Sequence, residues 1–546
     1  MSKGQGLPHA TVIYFLLATK LAKSHLVFNA FCVNAQQSLR HVAHQTGLSK
    51  SSVHRLKQAM TRRNRSPESA WWETEAGRRW LTRLVVASLY TFGLKRGVGA
   101  ESLSEFFTHL QLETHVGCSP SVIRSLMHTL EPAIRETTAA WEREGIAEGE
   151  VKPIIGAVDE TFLSRLMLVF MDLVSGSLLL EEVAPDRTYD TWEAVVQARL
   201  KTLGAPVRSR VSDRAPALIK LAKTGLDCLS IPDVFHLIRE LVQSSALAIG
   251  SRLRQARQAL SHAQEHLAKL QDRDPDGTEA ELARVALATR EAEVSRWERV
   301  HDAYRLHLEA VSLSVHPWRG GDSTPQRAQE VESQLQAEID ALEALIATHG
   351  LPVKKKALDK VRRQLADLSA LIDLWWQGVW QDEEPLALTP PWTRWIEQAL
   401  LPLQYWREAV SRTSCPRRKA KLMHALGAVQ HRFDAHPFTQ QLPPNVLESW
   451  LAWAAEQTKA FQRPSSAIEG RNGYLSQMHH HHRGLPKRRY PVWTLLYHFD
   501  CRASDGTTPA SRFFRRDFPD LFETVLAHIE ELPRPRQRTQ AMGISH

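Results

Sequence analysis

The chain has 546 residues, 43% hydrophobic and 24% charged, so it is long enough for three or four domains, each with its own core. Sixty-nine Lys and Arg against 60 Asp and Glu leave a net charge of +9, which favours a polyanionic partner without requiring one. The five cysteines are scattered with no CxxC pair, suggesting neither a zinc ribbon nor a disulfide framework. No apolar run approaches ~18 residues and the first residues carry no signal-peptide pattern, so a cytoplasmic protein with no membrane partner is expected.

Residues 1–150 read as helical. The segment 38–56 has helix-turn-helix grammar: Leu39, Val42 and Ala43 make an apolar face, Gly47 supplies a tight turn and Ser49 caps a second helix. That helix turns Lys50, Ser51, Ser52, His54 and Arg55 outward, which makes them candidate DNA contacts, while Val53 and Leu56 face in. Residues 1–66 therefore form a helix-turn-helix region. The helical region 67–150 repeats this grammar at 102–130, where it either reads DNA or packs against its neighbours.

From 151 the period shifts towards extended runs. Strands are predicted at 151–158, 166–173 and 177–183, with a turn at Ser175-Gly176. A helix over 189–203, capped by Thr188 or Asp190, precedes a strand at 207–212, a helix at 215–224, a strand at 227–231 and a helix at 234–247. This β-β-β-α-β-α-β-α order belongs to the RNase H-like fold, which sets the end of its first strand beside the end of its fourth. Residues 248–460 read as a large all-α insertion. It opens with an antiparallel hairpin broken at 272–277 and continues through a Trp-rich stretch containing Trp375, Trp376, Trp380, Trp392, Trp395 and Trp406. These tryptophans suit a core, or the stacking of one of them on a base. The α/β core, begun at 151–247, resumes at 461–516, and a basic tail follows at 517–546.

Three acids stand in marked contexts. Asp159 ends the apolar run from Ile154, Asp213 closes Val211-Ser212-Asp213, and Glu469 lies in Ile468-Glu469-Gly470-Arg471-Asn472. The step from 159 to 213 suits a hairpin, a third strand, a helix and a fourth strand. The step from 213 to 469 requires an inserted domain. Converging, the three carboxylates can hold two Mg²⁺ or Mn²⁺ ions for in-line attack on a phosphodiester. Glu160 points to the opposite sheet face from Asp159, and Asp172 suits a turn acceptor better than a ligand. Asp233 and His236 open a helix just after a short strand, as a cap and a packed histidine. Arg483, Lys487, Arg488 and Arg489 form a basic loop beside Tyr490, suited to phosphate neutralisation or to solvation. The run His479–His482 points around a helix in all directions, which suits DNA-backbone contact or helix-end packing rather than chelation.

The step Asp233-Val234-Phe235-His236 resembles the D-x-x-H or C-x-x-H step of Mutator-like and related DDE transposases. The segment Glu469-Gly470-Arg471-Asn472-Gly473-Tyr474-Leu475-Ser476 and residues 505–514 resemble the terminal block of a bacterial insertion-sequence group. The resemblance covers about 151–245 and 460–515. It implies an RNase H-like DDE core with Asp159, Asp213 and Glu469 as triad, and Asp233 and His236 near the scissile phosphate. It further implies a nucleoid-associated transposase acting on double-stranded DNA at inverted-repeat ends and on target DNA, as a homodimer or larger synaptic assembly. Two alternatives stand beside it: an RNase H-like nuclease that hydrolyses without joining, and a domesticated DNA-binding regulator.

Overall fold

The computed structural model describes residues 26–64, 67–149, 153–163, 165–320, 323–352, 355–383, 388–463, 466–481 and 488–535. The chain forms two compact units, one of residues 1–149 with 478–511 and 516–546, the other of residues 150–477 with 512–515.

The first unit is helical. Helix α1 (Leu39–Thr46) starts at Ser38, whose hydroxyl accepts the His41 N–H, and stops at Gly47, where φ of +66° needs a residue without a Cβ. Helix α2 (Lys50–Arg63) follows at once, its first turn capped by Ser49 accepting the Ser52 N–H. Val42, Val53 and Met60 close a small core with Val27, Phe28 and Phe31. The region around 102–130 is built differently from 38–56. Helix α3 (Pro120–Glu148) runs for 29 residues and buries Ile123, Met127, Leu130, Ile134 and Trp141 along its length. Trp141 meets Phe499 and Phe518, so one face of this helix serves internal packing.

The second unit is mostly helical and holds one mixed five-stranded sheet in the order β3-β2-β1-β4-β5. Strands β1 (Ile154–Phe162), β2 (Leu166–Asp172) and β3 (Leu178–Val183) are antiparallel neighbours, and Gly176, φ +74°, makes the turn between the last two. Helix α4 (Tyr189–Leu203), capped by Thr188, covers one sheet face, where its buried Trp192 donates to Glu160 and Arg199 donates to the Leu179 carbonyl. Strands β4 (Val207–Ser212) and β5 (Leu229–Pro232) then extend the sheet parallel to β1.

Two elements outrun their sequence limits. Strand β1 does not end at Asp159. Its parallel pairing with β4 stops at Ala157↔Val211, but its antiparallel pairing with β2 continues to Phe162↔Leu166. Helix α5 (Val234–Gln271) passes 247 without a break, because Leu237, Leu241, Ile249, Leu253 and Ala256 keep one buried face going. It folds back on α6 (Thr278–Ser314) across the break at 272–277; Tyr304 donates to the Leu241 carbonyl at 3.2 Å and Arg257 meets Glu298 at 2.8 Å, which fixes the antiparallel sense. Helices between Ala328 and Lys459 follow, with Trp375, Trp376, Trp395 and Trp406 buried among them. Helix α7 (Ser466–His481) then carries Glu469 in its first turn. No helix among the described residues is long and apolar enough to cross a membrane.

Gly156 of β1 lies under the ring of Phe170, which is fully buried, and a Cβ there overlaps that ring. Gly156→Ala is expected to destabilise the protein by about 1–3 kcal/mol, read from the midpoint of urea unfolding.

Candidate active site

Strand register lines up the acids before any side-chain contact is considered. Asp159 on β1 faces Val169 on β2, and Val169 faces Glu181 on β3. Directly opposed residues share a sheet face, so Asp159 and Glu181 lie on one side of the sheet, two strands apart. On the other side of β1, Ala157, Val211 and Ile231 are in register. Two residues further on, that row reaches Asp159, Asp213 and Asp233, the latter two lying one residue past the ends of β4 and β5. The Asp233 N–H still donates to the Ser212 carbonyl at 3.0 Å, so the ladder persists that far. Adjacent strands are about 4.8 Å apart, which makes this a tight row of negative charge. Arg214, directly after Asp213, has φ of +65°, a backbone strain of the kind that collects at functional sites.

Helix α7 crosses this face. Arg471 makes a two-pronged bond to Glu181, from Nε at 2.9 Å and from Nη2 at 2.8 Å, and both side chains are buried. The next residue, Asn472, donates from Nδ2 to Asp159 Oδ2 at 2.8 Å. Three residues earlier, one helical turn away, Glu469 Oε1 lies 3.8 Å from His236 Nδ1. Asp233 caps α5 by accepting the Phe235 N–H at 2.6 Å, and its Oδ2 lies 3.5 Å from the same His236 nitrogen. Asp159, Asp213, Asp233, His236, Glu469 and Asn472 therefore lie along one face, but among the described residues only Asp233, His236 and Glu469 bring one ligand atom each within 4.8 Å of the others, and Asp159, Asp213 and Glu469 do not form such a group. The sequence flagged five of these. Asn472 and the anchor Arg471 were missed as site-forming residues, although Asn472 stands at helical spacing from Glu469.

The electrostatics follow from this crowding. Burial, opposed by the bond from the Glu160 N–H, reinforced by the neighbouring Asp213 and again opposed by the bond from Asn472, leaves the Asp159 carboxyl pushed up to about 6. Asp233 raises His236 above its ordinary value, with Glu469 and Asp213 adding to the effect and partial burial opposing it. Asn472 Oδ1 is buried with no hydrogen-bond partner. Asp213 is exposed, its Oδ1 accepting the Ala215 N–H at 3.0 Å.

Other flagged residues take different places. Glu160 turns to the opposite sheet face, towards Trp192 and Arg187. Asp172 is buried, accepting the N–H groups of Ile155 and Ser175, as a turn-organising acceptor. Arg488, which is exposed, and the less exposed Arg489 both bond the buried carboxylate of Glu131 on α3. Arg483 and Lys487 lie outside the described residues. On α2, Lys50, His54 and Arg55 are exposed, whereas Ser51 and Ser52 bond the Ser49 hydroxyl and serve the cap. His479 bonds Tyr490 at 2.8 Å; His482 lies outside the described residues. Four of the six flagged tryptophans are core residues whose indole N–H groups find internal acceptors.

Two expectations follow. Arg471→Met strands a buried Glu181 carboxylate and is expected to cost about 3–5 kcal/mol in urea unfolding, with much of the loss recovered in the double variant Arg471→Met/Glu181→Leu. For Asp159, a raised folded-state value means that folding disfavours the charged form. The resulting penalty is absent below pH ~4, grows through the window from 3.8 to about 6, and is complete above it. Asp159→Asn is therefore expected to stabilise the metal-free protein by about 1–2 kcal/mol at pH 7.5 and by almost nothing at pH 3.5.

Residues 396–541 match the model of a family described as a family of unknown function (DUF6399), a stretch that takes in Glu469, Arg471 and Asn472. No curated protein matches the chain.

Proposed function

We propose that this protein is a DDE-type DNA transposase, with Asp159, Asp213 and Glu469 as its catalytic acids on an RNase H-like core. The observation that carries this reading is the single row of carboxylates at one edge of the sheet, crossed by a helix that brings a third acid from 256 residues further along (213 to 469). The strand order β3-β2-β1-β4-β5, with the first three strands antiparallel neighbours and the last two, β4 and β5, parallel to β1, supports the RNase H-like assignment.

The donor set fits a hard divalent cation. Asp159 and Asp213 offer oxygen ligands only, their mutual repulsion leaves negative charge uncompensated, and the orphaned amide oxygen of Asn472 lies beside them. Mg²⁺ or Mn²⁺, held by Asp159, Asp213 and Glu469, would supply Lewis acidity to a phosphodiester. The chain's own residues prepare that chemistry. Asn472 holds one Asp159 oxygen in place, the Arg471–Glu181 pair keeps α7 on the sheet, and the Asp233 cap fixes the turn that carries His236. The exposed Lys50, His54 and Arg55 of α2 would contact double-stranded DNA at the element's inverted repeats, with phosphate neutralisation giving most of the affinity. Handling two ends together calls for a homodimer or a larger synaptic assembly acting on target DNA.

The test is incubation of the full chain and Mg²⁺ with DNA bearing the gene's own flanks. Nicks at repeat ends and joined products are expected, with at least about a thousandfold loss in Asp159→Ala, Asp213→Ala and Glu469→Gln. Lys50→Ala/Arg55→Ala is expected to weaken DNA binding and flatten its salt dependence while leaving the acid site intact. Cutting without joining would make the protein a nuclease, and binding without cutting a regulator.

A further inference from the structure

The three side chains around the start of α5 do not behave as an ordinary helix cap. Asp233 spends Oδ1 on the Phe235 and His236 N–H groups, which leaves Oδ2 directed at His236. Glu469 approaches the same imidazole from α7. His236 Nδ1 thus lies 3.5 Å from one carboxylate oxygen and 3.8 Å from another, close to both and at the limit of, or beyond, a well-formed hydrogen bond to either. One donor atom from each of Asp233, His236 and Glu469 falls within 4.8 Å of the other two. Neighbouring ligands of an octahedral ion with bonds near ~2.2 Å are about 3.1 Å apart, so side-chain movements of roughly 1–2 Å close this set around a cation. Asp233 is locked by its cap and the sheet ladder, whereas Glu469 is a partly exposed side chain on a helical turn and is free to make that adjustment.

We propose that Asp233, His236 and Glu469 form a nitrogen- and oxygen-donor site for a first-row transition ion, Mn²⁺ in preference to Mg²⁺. The imidazole sets the preference: nitrogen donors favour transition ions, whereas Mg²⁺ keeps to oxygen. The site is distinct from the all-oxygen pair Asp159 and Asp213, with Glu469 alone common to both. It does not rest on the proposed transposase reaction. Occupancy draws Glu469 towards His236 and ties the first turn of α7 to the first turn of α5.

The test uses the full chain, stripped with EDTA and titrated with Mn²⁺. Electron paramagnetic resonance counts bound ions, and electron spin echo modulation reports a ¹⁴N ligand. The background is Asp159→Asn/Asp213→Asn, which removes the other acids. One Mn²⁺ carrying ¹⁴N modulation is expected there. Adding His236→Gln should abolish the modulation and weaken binding at least about tenfold, whereas adding Glu469→Gln should weaken binding but keep the modulation at saturating Mn²⁺. Thermal melts confirm that each variant is folded. Modulation that survives His236→Gln would place the nitrogen elsewhere, for instance in the tract His479–His482, and overturn the proposal. Mn²⁺ retained by the wild type but lost from Asp159→Asn/Asp213→Asn would also overturn it, while leaving the catalytic acids in their proposed role. Normal ¹⁴N-coupled binding in a protein that cuts no DNA would instead count against the transposase reading alone.

Discussion

The buried ion pair between Arg471 and Glu181 controls how the candidate site is put together, because it joins a helix to a strand 290 residues earlier in the chain. A charge pair removed from water is a costly way to hold two elements together, and a well-packed apolar contact gives comparable stability. What the pair adds is register. Glu181 shares a sheet row with Asp159, so fixing Arg471 on Glu181 sets Asn472 on Asp159 and brings Glu469 to the mouth of α5. A greasy contact tolerates sliding; a two-pronged guanidinium–carboxylate bond does not.

The same geometry opposes stability. Three aspartates in one row repel one another, and Asp159 is held partly out of water with its carboxyl raised to about 6. Crowded, partly buried acids of this kind collect at functional sites. The cluster is relieved locally by Asn472, the Glu160 N–H and the imidazole of His236, which stands between Asp233 and Glu469. Stability and site are thus set by opposite demands on the same residues.

Much of the sheet was legible in the sequence because its signals are local. Short extended runs located β2, β3 and β4, Thr188 marked the start of α4, and Gly176 marked a turn. Two limits were misplaced for a non-local reason: the end of β1 is set by how far β2 pairs with it, and α5 continues because its buried stripe continues. The acids Asp159, Asp213, Asp233 and Glu469 stood out by context, but the partner of each did not. Arg471 reads as one more basic residue until Glu181 is seen beneath it, and nothing local in Arg488 and Arg489 announces that both bond Glu131. Charge in a sequence announces a partner without saying whether the partner is nucleic acid or the protein's own carboxylate.

The central claim is that Asp159, Asp213 and Glu469 converge on bound metal. Iron-directed cleavage of the polypeptide tests it most directly: Fe²⁺ replaces Mg²⁺, ascorbate and peroxide generate radicals at the ion, and mass spectrometry maps the breaks. In His236→Gln, which silences the nitrogen-donor site, backbone cuts are expected to cluster at three distant places in one sample, around 159, 213 and 469, all suppressed by excess Mg²⁺. Cuts confined to 479–482, or spread without regard to these acids, would contradict it.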